Sequence, residues 1–92
     1  MNLSHLTSEY KKSLNIPDDI TGIVVTHIEK KSVAGKNGIR KKDIINSANQ
    51  RILKTPEDLF NIINEAKSHK RKSIMLLIYR AGGNVFLSLP ID

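Results

Sequence analysis

The stretch Thr55 to Lys67, TPEDLFNIINEAK, carries apolar side chains on two neighbouring helical stripes, which limits the chain to folds where one short helix has two surfaces to cover. Its start is well marked. Thr55 is suited to capping free backbone N–H groups, Pro56 stands where a missing N–H costs nothing, and Glu57 and Asp58 complement the positive end of the helix dipole. Leu59, Ile62 and Ala66 recur at i, i+3 and i+7 on one stripe, and Phe60, Ile63 and Lys67 follow one position later on the next. The first stripe is enough to anchor the helix. The second either widens the core face, the commoner arrangement for a helix this short, or lines a groove.

The other elements fall around this helix. Asn2 to Leu6 alternates and reads as a short strand; Thr7 offers an N-cap, and Leu6, Tyr10 and Leu14 predict a one-sided helix ending before Asn15-Ile16-Pro17. After a turn at Pro17-Asp18-Asp19, the β-branched run Gly22 to Ile28 predicts a central strand, with Ile23 and Val25 on one side and Val24 and Ile28 on the other. Ser32 caps a single helical turn over Val33 to Asn37, which Gly38 ends so that Ile39 enters the core. Asp43 to Ala48 is the next strand, turned at Asn49-Gln50, with Gln50 to Leu53 returning briefly. Ile74 to Ile78 is an unbroken apolar run, too short to cross a membrane, and predicts a core strand too rich to be half exposed. Ala81-Gly82-Gly83-Asn84 reverses it into a last alternating strand from Val85.

With 92 residues and 39% hydrophobic content, the chain predicts one folded domain spanning 1–92 with a small core. No charged segment followed by an apolar stretch opens it, so nothing reads as a secretory signal. Zero cysteines exclude disulfides, thiolate zinc sites and cysteine nucleophiles. A formal charge of +6 raises nucleic acid as a partner. The basic clusters Lys11-Lys12, Lys30-Lys31, Arg40-Lys41-Lys42 and Lys70-Arg71-Lys72, however, all sit at helix ends or turns, with no aromatic residue interleaved for base stacking. They read as solvated turns. His5, His27 and His69 share no metal-ligand spacing, no serine stands in G-x-S-x-G, and Gly82-Gly83 lacks the spacing of a phosphate loop. The chain is therefore expected to be no enzyme by itself and to need neither metal nor cofactor.

Gly22-Ile23-Val24-Val25, Ser32-Val33-Ala34 with Gly38-Ile39, Lys42-Asp43-Ile44-Ile45, Asn49 and Pro56-Glu57-Asp58-Leu59 together resemble a PDZ domain of the kind in bacterial HtrA (protease Do, DegP-type) serine proteases. The opening Leu3-Ser4-His5-Leu6-Thr7, with Asn15-Ile16-Pro17, is similar to the start of the second, C-terminal PDZ domain of these proteases, and Arg80 to Leu89 resembles its end. Three positions depart from the pattern. Val33 replaces a proline, and Lys42 and Gln50 replace glycines; a left-handed φ at either of the latter two costs on the order of 1 kcal/mol. The family's carboxylate-binding loop would lie upstream of Met1, which predicts a fragment of a longer protease.

The resemblance implies a mainly β α+β fold: a small antiparallel sheet or partly open barrel capped by two or three helices, permuted as in HtrA proteases. It implies that extended or C-terminal peptide segments add as a strand to Met1, Asn2, Leu3, Ser4 and His5, while their side chains enter a slot lined by Pro56, Phe60, Ile63 and Lys67. Implied partners are unfolded polypeptides and other domains or subunits of the parent, with no nucleic acid and no membrane insertion. The implied location is the periplasm, and the implied role is substrate recruitment or assembly in protein quality control. Two alternatives stand beside this reading: the PDZ module of another membrane or periplasmic protease, and a free-standing basic adaptor for nucleic acid.

Overall fold

Left-handed turn residues set the strand pairing of this chain. The structure, a computed structural model, describes residues 1–91. In chain order the elements are β1 (Asn2–His5), α1 (Ser8–Leu14), β2 (Ile23–His27), α2 (Val33–Lys36), β3 (Ile44–Ala48), β4 (Arg51–Ile52), α3 (Pro56–Ser68), β5 (Ser73–Arg80) and β6 (Gly83–Pro90). The strands form one antiparallel sheet in the order β1-β2-β3-β5-β6, with β4 attached to β3. The α+β, mainly β expectation holds, and the sheet is open.

Asn49 and Gln50, at φ 50° and 67°, close β3 onto β4, and Ala81 and Gly82, at 50° and 82°, close β5 onto β6. Positive φ at both central residues is the signature of the hairpin turn whose twist matches the strands. The second turn is tighter than the sequence predicts: Arg80 pairs with Gly83, so β6 begins two residues before Val85. Gly22 lets β2 start beside a bulge in β3 at Asn46, because a Cβ there would lie 2.4 Å from the Ile45 carbonyl oxygen. Asn46 anchors the bulge by donating from Nδ2 to the Thr21 carbonyl at 2.8 Å.

The core is aliphatic. Ile23, Val25, Ile39, Ile45, Leu53, Leu59, Ile62, Ile74, Leu76 and Ile78 form one buried cluster, against which α3 closes one side. Ser32 Oγ caps α2 by accepting from the Gly35 N–H, as expected, and α2 packs on β6. Two expectations change. β2 ends at His27, so Ile28 leaves the alternation and packs against the same core as Ile23 and Val25. β5 is buried on one face only: Ile74, Leu76 and Ile78 point into the core, while Met75 is 48% exposed and Leu77 is half-buried. An inner strand has neighbours in the plane of the sheet, but among the described residues the outer side chains of Met75 and Leu77 face an open cleft, not a covering layer.

Candidate functional site

The candidate site lies where the four-residue edge strand β1 meets the well-capped helix α3. β1 pairs with β2 alone, Leu3 opposite Val25 and His5 opposite Ile23, which leaves its other edge without a strand partner among the described residues. Leu3 packs against the core and Ser4 is half-buried, whereas Asn2 and His5 are exposed. Beyond the edge lies α3, which contacts β1.

α3 is held by a reciprocal cap. Thr55 Oγ1 accepts from the Asp58 N–H at 3.3 Å, and Asp58 Oδ2 accepts from the N–H groups of Lys54 and Thr55 at 2.8 and 3.0 Å. Those two backbone donors, Lys54 first, hold the Asp58 carboxyl below its usual range. Fixed at this end, the helix turns Leu59, Ile62 and Ala66 into the core. On the adjoining stripe Phe60 is 56% exposed, Ile63 packs partly on the core, and Lys67 is exposed. Pro56 is half-buried and Met1 is 38% exposed. The region therefore combines a free backbone edge with apolar side chains only partly covered, and of the residues named here His5 and Lys67 are the titratable ones. At the far end, His27 Nε2 lies 2.9 Å from Glu29, whose carboxyl is held below its usual range by that hydrogen bond.

A concavity away from this region was not anticipated. A cleft of about 790 Å³ lies between the C-terminal half of α3, the Asn49-Gln50 turn and the β5–β6 hairpin, lined among others by Met75, Leu77, Phe86 and Arg71. It shares no residue with the β1 region. The apolar run Ile74 to Ile78 carried the signal, since one buried face needs only alternate positions of it.

No protein-family model matches the chain. Over 91 residues it is 32% identical to a "probable periplasmic serine endoprotease DegP-like" of Rickettsia conorii, an alignment covering 99% of this chain and 17% of that protein. A protein of the same description from Bartonella henselae is 36% identical over 74 residues, covering 80% of this chain and 15% of its own length. The crystal structure of the HtrA3 PDZ domain bound to a phage-derived ligand (FGRWV) matches with a TM-score of 0.77 at 22% identity, over 100% of this chain and 81% of that one. The chain has the fold of an HtrA PDZ domain. A structure of the HtrA-type protease AlgW with a decapeptide gives the same TM-score of 0.77 at 22% identity, covering 97% of this PDZ domain and 26% of that chain. The PDZ domain thus spans about one sixth of the length of the curated relatives it matches, 17% for the first.

Proposed function

We propose that this chain is the peptide-binding module of an HtrA/Do-type periplasmic serine endoprotease, corresponding to the second, C-terminal PDZ domain, and that it recruits substrate or holds the assembly together. An extended segment adds as a strand to the free edge of β1, Met1 to His5, through main-chain hydrogen bonds. Its alternate side chains rest on Pro56, Phe60 and Ile63, with Lys67 beside them. The catalytic groups belong to another part of the parent protein, and residues 1–92 are one domain within it. The observation carrying this reading is the contrast between adjacent helix residues beside a strand with one free edge: Leu59 is 1% exposed and Phe60 56%. The peptide ligands of the two HtrA structures agree with it.

The test is a titration of FGRWV, and of the same peptide amidated at its C-terminus, into the isotope-labelled chain. Saturable amide shifts are expected in Asn2–His5 and along the Phe60 face of α3, and Phe60→Ala should weaken binding at least tenfold. A pocket anchor supplies roughly 1.5–3 kcal/mol, which is a factor of ten or more. Unchanged affinity in Phe60→Ala, or shifts lying wholly outside β1 and α3, would overturn the groove.

A further inference from the structure

The outer face of the β5–β6 hairpin carries more apolar surface than a solvated sheet face requires. Leu77 and Phe86 stand directly opposite each other in the ladder, and Met75 is two residues along from Leu77. Phe86 is 69% exposed and Met75 48%. Scattered apolar side chains are ordinary on a surface; three contiguous ones on the floor of a cleft mark a contact site. Met75 and Leu77 are about 7 Å apart along the strand, the repeat of alternate side chains in an extended polypeptide.

The charges around this floor are uneven. Arg51, Glu65, His69 and Arg71 contribute to the lining. Arg51 and Glu65 cancel one another at 2.6 Å, and His69 Nδ1 lies 2.8 Å from its own helix at the Glu65 carbonyl oxygen. Arg71 enters no ion pair among the described residues, and Lys70 and Lys72 flank it in sequence. Among the described residues the cleft therefore has an apolar floor and one unbalanced cationic wall, complementary to a carboxylate adjoining an apolar group.

We infer that this cleft docks a second polypeptide segment, separate from any bound at β1: an extended stretch of another protein in which apolar side chains are followed by Asp or Glu. The apolar side chains lie on Met75, Leu77 and Phe86, and the carboxylate meets the Arg71 guanidinium. Because the cleft and the β1 region share no residue, either can bind without the other.

The probe is the acetylated, amidated peptide Gly-Leu-Ser-Phe-Asp-Glu-Ser-Gly, whose Leu, Phe and Glu share one face when extended, blocked at both ends so that it has no terminal carboxylate. Added to the isotope-labelled chain, it should give saturable amide shifts at Arg71, Met75, Leu77 and Phe86 while Asn2–His5 stay in place. Arg71→Glu should weaken it at least tenfold and favour the version with Lys in place of the acidic pair, and Phe86→Ser should weaken both. The wild-type shift map is independent of whether either variant folds, and unchanged thermal melts verify that they do. Four results overturn the inference: shifts confined to β1, no saturation at millimolar peptide, equal affinities before and after Arg71→Glu, or cleft shifts that follow protein concentration without peptide, which would mean a second copy fills the site.

Discussion

Arg80 grips Asp43 at two points across 37 residues of chain, Nε to Oδ1 at 2.8 Å and a terminal nitrogen to Oδ2 at 2.5 Å. The same guanidinium donates to the Gly38 carbonyl at 2.7 Å, and Asp43 Oδ2 also accepts from the Arg40 N–H at 2.8 Å. Asp43 is 2% exposed. The pair thereby ties the end of β5 to the turn before β3 and to the loop that follows α2. Removing one partner strands the other: Arg80→Ala should cost about 3–5 kcal/mol by leaving a buried carboxylate unmatched. Asp43→Leu combined with Arg80→Met should cost clearly less than the sum of its single changes. Urea melts arranged as a double-mutant cycle measure this, and additive costs would mean the pair is not coupled.

Lys42 and Gln50, which replace family glycines, both occupy left-handed backbone, at φ 75° and 67°. The backbone takes this conformation at Lys42 so that its N–H donates to the Val25 carbonyl and the next residue's carbonyl accepts from the Val25 N–H, bonds that a glycine would also make. Lys42→Gly and Gln50→Gly should each stabilise the domain, by about 1 kcal/mol before the larger unfolded-state entropy of glycine is subtracted. Chemical denaturation decides it, and a lower midpoint in either variant contradicts the strain argument.

The two stripes of α3 should respond differently to truncation. Ile62→Ala leaves a cavity behind a side chain 4% exposed and should cost about 2–5 kcal/mol. Phe60→Ala, half in solvent, should cost far less stability. Equal losses in thermal melts would make α3 one broad core face.

Asp58 gives the helix cap a pH dependence of known sign. Its carboxyl lies below its usual range when folded, held there first by the Lys54 N–H and next by that of Thr55. Its contribution is therefore fully present above the ordinary aspartate value of about 4 and is lost as pH falls through the lower folded value. The stability difference between wild type and Asp58→Asn should shrink as the solution is taken from neutral to strongly acidic. A difference that stays constant over that range would show that the carboxylate contributes nothing as an ion.

Much of this fold was legible because its signals are local. Thr55, Pro56 and Asp58 lie within one turn of each other, and the period of Leu59, Ile62 and Ala66 needs no knowledge of what covers it. Edge and cleft were harder. An apolar run such as Ile74 to Ile78 reads the same whether one face is covered or two, so the exposure of Met75 depends on layers the run does not encode. The Asp43–Arg80 pair escaped because nothing in either neighbourhood refers to the other across so long a separation. The β1 region was legible as a strand and a helix separately; that they meet is a property of the β1–β2 register.

Ala81 has a consequence for how fast the domain assembles. The β5–β6 ladder has eight paired positions, from Ser73 with Pro90 to Arg80 with Gly83, and every one of them is closed by the short Ala81-Gly82 turn. Such a hairpin has little loop entropy to overcome and can form early, but Ala81 must first enter a left-handed conformation that L-residues with a Cβ resist. If the hairpin belongs to the folding nucleus, relief of that resistance acts on the barrier. Ala81→Gly should then raise the refolding rate while leaving the unfolding rate nearly unchanged, and stopped-flow chevrons whose gain lies on the unfolding limb would place this hairpin late.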